Sequence, residues 1–209
     1  MGAMEGDLAL LERWRGGDQR AGHDLFRRHF ADIYRFFENK VGAEADELAQ
    51  ATFLACVGAR EQFRAQSSFR TYLFAIARNE LYGYLRRLRR DDVLDFAVTS
   101  LADIATTPVS RLERARQAEQ LRSALRDLPA EQQLLLELHY WHDLDAAALA
   151  EVFDSTPGAI RVRLLRARRA VRERMAPAAL AAAGGDRLAA SLAQPEPESD
   201  PESDERDDA

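Results

Sequence analysis

The stretch from Ser155 to Val171 constrains the fold more than any other part of the chain, because it opens like a capped helix and then separates an apolar stripe from a basic one. Thr156 supplies a capping oxygen, and Pro157 stands where a helix has no use for an N–H. Ile160, Leu164, Ala167 and Val171 recur at i, i+4, i+7 and i+11 and so share a face for burial. Arg161, Leu165, Arg168 and Arg172 are left facing outward together. Seven arginines against one acid, Glu173, lie between Arg161 and Arg174, an imbalance that a merely solvated face does not require. Upstream, Asp145 caps a short helix whose Leu149, Val152 and Phe153 turn inward, and a turn of about three or four residues follows. The pair reads as a helix-turn-helix whose second helix fits a DNA major groove.

The overall charge points the other way until it is divided along the chain. A formal charge of −6 and a pI near 5.3 argue against nucleic acid, but Gln194 to Ala209 alone carries −7, which leaves +1 for residues 1–193. An acidic Pro/Glu/Ser/Asp tail therefore hides a near-neutral body with local basic patches. One cysteine, Cys56, excludes an intramolecular disulfide and a multi-cysteine zinc site; it reads as a small core residue in a reducing cytoplasm. His139 and His142 lie one helical turn apart, with no pattern of further ligands to complete a metal site. The sequence has no apolar run of about eighteen residues and no signal peptide, so no membrane insertion is expected.

Helical periodicity dominates, and the expected class is all-α. Helices are expected near 6–16, 18–40 with a break at 30–32, 43–62 and 69–90, forming one bundle over residues 5–90. Residues 91–110 lose periodicity and read as a linker. A second helical block covers 111–176, with a new helix starting at Leu128-Pro129 and an apolar series Leu134, Leu135, Leu138, Trp141 leading to Leu144. Residues 177–209 hold a weak helix carrying Leu180, Leu188 and Leu192, interrupted by Gly184-Gly185, and then the acidic tail, expected to be disordered.

The helix at 69–90 has two faces. Phe69, Leu73, Ile76, Ala77, Leu81, Tyr84 and Leu88 suit a core, whereas Tyr72, Asn79, Tyr82 and Arg86 line another side with Arg70, Arg78 and Arg90 nearby. Aromatic rings, an amide and arginines suit single-stranded DNA, whose bases stack while its phosphates are held. Ser67 or Ser68 either caps this helix or hydrogen-bonds an unstacked base. The preceding helix presents Asp46, Glu47, Gln50 and Leu54 on one face, which fits a basic protein partner or plain solvent.

The segments Ala45–Leu54, Phe63–Asn79 and Leu128–Arg168 together resemble the extracytoplasmic-function (ECF) sigma factors of bacterial RNA polymerase, with their sigma-two and sigma-four domains in order. The resemblance covers roughly residues 20–90 and 112–175. It implies that Asp46, Glu47, Leu48, Gln50 and Phe53 dock on the beta-prime clamp helices of the polymerase core, which is also contacted at the beta flap. It implies that Ser67, Ser68, Phe69, Arg70, Tyr72 and Asn79, with Tyr82 and Arg86, capture an unpaired minus-ten strand. Thr156, Pro157, Gly158, Arg161, Val162, Leu165, Arg166 and Arg168 would meet the minus-thirty-five duplex.

Several positions depart from the family pattern. Ala51 replaces a usual acid, Tyr72 a usual Trp, and Asp154 a frequent Gly, the last tolerable because Asp visits the left-handed region. Val162 and Leu165 replace more polar residues, so base preference does not carry over. The resemblance implies no cofactor, no metal and no catalytic residue, a free monomer, and an anti-sigma factor as a further partner. The acidic tail could fold back on the arginines and lower DNA affinity, or simply solubilise the chain. A dimeric helix-turn-helix regulator and a polymerase-binding adaptor remain as other classes.

Overall fold

The computed structural model describes residues 2–63, 67–89, 95–96, 121, 123–175 and 187–193. Their regular structure is helical: α1 (Gly2–Arg15), α2 (Gln19–Val41), α3 (Ala45–Ala59) and α4 (Phe69–Arg89), then α5 (Ala130–Tyr140), α6 (Ala146–Val152), α7 (Pro157–Arg174) and α8 (Arg187–Ala193). Residues 97–120, most of the expected linker, the start of the second block, Leu180 and the acidic tail lie outside the described residues.

Local chemistry sets the helix ends. Asp18 starts α2 by accepting from the amides of Arg20 at 3.0 Å and Ala21 at 3.2 Å. Gly17 before it holds φ at +99°, a conformation that a side chain would strain. The break expected at 30–32 is absent, because none of Phe30, Ala31 and Asp32 removes an amide from the ladder. Arg35 further staples that turn, donating to the Ala31 carbonyl and the Asp32 carboxylate, each at 3.1 Å. Ser68 caps α4: its hydroxyl oxygen accepts from the Thr71 amide at 3.0 Å. At the start of α5, Gln133 donates to the Leu128 carbonyl at 2.6 Å and to that of Arg126 at 3.2 Å, satisfying groups that Pro129 cannot.

The first bundle closes around Leu25, Ile33, Phe36, Phe37, Phe69, Leu73, Phe74 and Leu81, all buried. The core face of α4 keeps the expected Phe69, Leu73, Ala77 and Leu81 and is wider than expected on one side: Phe74 and Leu85 are also buried, whereas Leu88 is 49% exposed. Cys56 is buried among these residues, and burial pushes its thiol up to about 12. Asp7 of α1 accepts hydrogen bonds from His29, at 2.8 Å, and from Arg28 of α2. Burial raises its pKa, but these two partners more than offset that and hold it below the ordinary value.

α1 and α2 approach closely because position 22 has no side chain: a Cβ there would stand 2.6 Å from Cδ1 of the buried Trp14. Trp14 packs edge-on against Phe26 at 5.1 Å, so its ring has little room to retreat. Gly22→Ala is expected to cost about 1–3 kcal/mol of stability through overpacking. A thermal melt of the variant checks this; an unchanged midpoint would show that the ring relaxes freely.

The second unit packs α5, α6 and α7 around Leu134, Leu138, Leu149, Val152, Ile160, Leu164, Ala167 and Val171. Trp141, expected to continue the apolar series, terminates α5 instead and is 46% exposed. Leu188 and Leu192 of α8 are buried, and the Tyr140 hydroxyl donates to Ser191 at 2.8 Å. α8 lies against α5 and α7.

The two units are in contact. α4 packs against α6, and Lys40 of α2 reaches Glu137 of α5 at 2.7 Å while also donating to its own-helix Phe36 carbonyl. His142 wedges its ring between the second unit and the first, 4.7 Å from Phe74 and 6.3 Å from Phe36.

Candidate nucleic-acid interface

α7 bears out the opening of the sequence argument in detail. Thr156 is its N-cap, accepting from the Ala159 amide at 3.2 Å, and Pro157 occupies the first turn. Asp154 holds φ at +50° in the preceding turn, and Asp145 caps α6 by accepting from Ala148 at 2.8 Å. Ile160, Leu164, Ala167 and Val171 are the buried stripe.

Thr156, Pro157, Gly158, Arg161, Val162 and Arg166 are exposed, with Leu165 and Arg168 half-buried beside them. The exposed amides at the helix N-terminus and the guanidiniums along it give this face the charge and the donors that duplex phosphates require. Other arginines of α7 serve the protein itself. Arg163 pairs with Glu131 at 2.7 Å, and Arg169 pairs with Glu173 at 3.0 Å. Arg172, expected to face outward, donates to the Leu192 carbonyl of α8 at 3.1 Å, and Arg168 reaches Ser191 at 3.4 Å. α8 therefore covers the C-terminal end of the basic stripe and leaves the N-terminal end open.

On α4 the expected residues divide. Asn79 is exposed. Tyr72 is half-buried, its ring 4.9 Å from Phe63 and its hydroxyl donating to the Ala59 carbonyl at 3.2 Å. Burial raises the pKa of this phenol, which favours its donor form. Phe69 is 1% exposed and serves the core, so its side chain offers nothing to a DNA strand in this arrangement. Ser68 is engaged in its capping contacts, and Ser67 stands beside it, half-buried.

Arg70 bridges the two units: its Nε donates to Asp32 at 2.9 Å and its Nη1 to the His142 carbonyl, with the guanidinium 5.0 Å over the Phe74 ring. Arg78 lies over Tyr82 at 5.6 Å and over Phe153, the residue that ends α6, at 5.4 Å. Arg70 and Arg78, on the side of α4 expected to meet a single strand, are thus held against the helix-turn-helix unit. Sequence reasoning missed this contact, and with it Lys40, Glu137 and Phe96.

α3 presents Asp46, Glu47 and Gln50 to solvent, together with Leu54 at 71% exposure. Leu48 and Phe53, assigned to the same docking role, are 3% and 7% exposed. Both pack into the first bundle and lie beneath that surface. Leu54, Val57 and Phe30 are the apolar groups exposed in this region, and high exposure of large apolar side chains was the signal that periodicity alone did not give.

Comparisons with known proteins agree with this geometry. The Sigma-70 region 2 family matches residues 25–91, and the Sigma-70 region 4 family matches residues 118–171, together more than half the chain. An ECF RNA polymerase sigma-E factor of Haemophilus influenzae is 27% identical over 182 residues, spanning 82% of this chain and 96% of that protein. Its namesake in Escherichia coli is 27% identical over 181 residues, spanning 82% and 95%. The solved structure of CnrH in complex with the cytosolic domain of CnrY has a TM-score of 0.55 at 24% identity, covering 79% of this chain and 94% of that one. That of the sigma factor RpoE with the anti-sigma factor NepR from Bartonella quintana gives 0.50 at 22%, covering 69% and 90%. These two likenesses concern the fold. With both regions present in order and a helix-turn-helix that is capped, turned and charged as derived above, the chain belongs to the extracytoplasmic-function family of RNA polymerase sigma factors.

Proposed function

We propose that this chain binds bacterial core RNA polymerase and directs it to promoters through a single-stranded minus-ten element and a duplex minus-thirty-five element. The observation that carries this reading is the presence in one chain of the region 2 bundle and a region 4 helix-turn-helix whose Arg161, Val162 and Arg166 are exposed. It is a transcription initiation factor and not an enzyme. The working units are residues 5–90 and 111–176, joined by 91–110, with 177–209 as an appended segment and tail.

Asp46, Glu47, Gln50 and the neighbouring Leu54 form the surface for the polymerase clamp helices. Thr156 to Gly158, Arg161, Val162, Leu165, Arg166 and Arg168 meet the minus-thirty-five duplex: the amides and arginines hold phosphates, and Val162 offers an apolar contact to a thymine methyl. Tyr72, Asn79, Tyr82 and Arg86 meet the unpaired minus-ten strand by stacking and charge. Each contact is weak alone, and the polymerase makes them act together by fixing their separation. An anti-sigma factor is a further partner, in keeping with the RpoE–NepR complex to which the fold is similar. The chain works where the polymerase does, in the cytoplasm; among the described residues no helix is long and apolar enough to cross a membrane.

Run-off transcription with bacterial core polymerase on fragmented genomic DNA tests the reading, comparing the full chain with one ending at Gln194. Discrete transcripts sharing a pair of upstream elements are expected. DNA binding by the isolated protein without any transcript would identify a helix-turn-helix regulator instead. A larger yield from the shortened chain would assign the tail an inhibitory role.

A further inference from the structure

Phe96 stacks face to face on Tyr82 of α4, with ring centroids 3.9 Å apart and planes 8° from parallel. Phenyl pairs ordinarily prefer offset or edge-on arrangements, whereas near-parallel stacking at this separation is the habit of nucleobases. Phe96 is buried, its carbonyl accepts from the Glu131 amide at the start of α5 at 2.9 Å, and the Arg86 guanidinium lies 5.2 Å over its ring. One helical turn to the other side, Arg78 covers Tyr82 and meets Phe153 at the end of α6.

Arg78, Tyr82 and Arg86 stand at i, i+4 and i+8 and so share one face of α4. Among the described residues, each carries a buried polar atom that finds no hydrogen-bond partner: the two Nε groups and the phenolic oxygen. Buried polar groups are almost always paired, and these three stand in one row on α4. Two guanidinium donors, a phenol and an aromatic plane are the complement of a single-stranded nucleotide, with its phosphate oxygens, polar base edge and flat base.

We propose that the Tyr82 face of α4 is a stacking slot for one unpaired nucleobase of single-stranded DNA, and that Phe96 fills it as a surrogate base while the two units are in contact. The proposal rests on reading Tyr82 and Arg86 as minus-ten contacts and adds the resident occupant. Because Phe96 is tied to α5 and Arg78 is covered by α6, the slot empties only when the helix-turn-helix unit leaves α4. Separation of the units and exposure of the single-strand site are then one event.

The test uses the full chain and a thymidine dodecamer carrying one 2-aminopurine, whose fluorescence is quenched on stacking, at fixed salt. Phe96→Ala is expected to bind it about ten-fold tighter than the parent, with deeper quenching, a gain equivalent to one base stack. A misfolded chain cannot produce that gain. Adding Tyr82→Leu to Phe96→Ala is expected to abolish it. A gain that survives Tyr82→Leu would overturn the slot, since Phe96 would then only hold the units together. Unchanged affinity in Phe96→Ala, or no binding by any variant, alongside normal run-off transcription by the parent would overturn the slot and leave the sigma factor reading standing. Failure of both assays would remove both.

Discussion

Glu137→Ala is expected to separate the two units. The Lys40 side chain is 4% exposed, and Glu137 supplies its carboxylate partner, at 2.7 Å, with the Phe36 ring 3.9 Å beneath the ammonium. Removing one member of a buried ion pair leaves the other desolvated and costs about 3–5 kcal/mol while the burial persists. The other contacts between the units are the packing of α4 against α6, the rings about His142 and the Arg70–His142 bond, and lifting α5 away so that Lys40 is hydrated relieves the stranded charge. Small-angle scattering is expected to show a larger radius of gyration, and the thermal transition should split into two. The double change Lys40→Met, Glu137→Leu, which keeps the volume and removes both charges, is expected to stay closed. An unchanged scattering profile in Glu137→Ala would show that the pair contributes nothing to the contact.

The same pair sets an acid limit. Burial pushes the Glu137 pKa up, but the Lys40 charge and the His142 ring 3.6 Å away outweigh it, so the folded value lies below the ordinary 4.5. A carboxylate with a depressed folded pKa contributes stability that is fully present above its unfolded value and disappears as pH falls through the folded one. The contact between the units is therefore expected to hold at neutral pH and to loosen below about pH 4.5.

Phe74→Ala is expected to cost about 3–5 kcal/mol, the usual range for removing a fully buried ring. Phe74 has no exposed surface and meets Phe36 edge-on at 5.8 Å, His142 at 4.7 Å and the Arg70 guanidinium at 5.0 Å. Its loss opens a cavity in the first bundle and also removes the floor on which His142 rests. For a chain of this size each kcal/mol moves the midpoint by about 2–4 °C, so a large fall is expected in a thermal melt. Unlike Glu137→Ala, the variant should lose first-bundle stability itself, visible as a lower denaturant midpoint for helix signal. A loss under 1 kcal/mol, as estimated for well-tolerated volume-conserving swaps, would mean that neighbouring rings collapse into the space.

What the sequence made legible was local. The capping of α6 and α7, the four buried positions of α7 and the left-handed Asp154 all follow from residues within one or two turns of each other, and the structure places each as expected. The errors arose where distant segments meet. On α4 the expected Phe69, Leu73, Ala77 and Leu81 are buried, but Ile76 and Tyr84 are only partly so and Leu88 is exposed, because periodicity cannot tell which side a second unit will cover; packing against α6 and α2 adds Phe74 and Leu85. Lys40 carries no local signal, since its partner lies 97 residues away. Phe96 sat in an aperiodic, polar stretch where a single aromatic carries no pattern. The burial of Leu48 and Phe53, which the resemblance places with Asp46, Glu47 and Gln50, was likewise not legible from the sequence.

The burial of Cys56 has a practical side. A thiol raised to about 12 and sealed in the first bundle is almost wholly protonated at neutral pH and unreachable by maleimides. Any cysteine introduced on the surface would then be the sole reactive thiol, and the parent sequence already serves as its own unlabelled background. A spin label or dye at Gln50 and another at Arg161 could report the distance between the two units in real time, with no native cysteine to remove first.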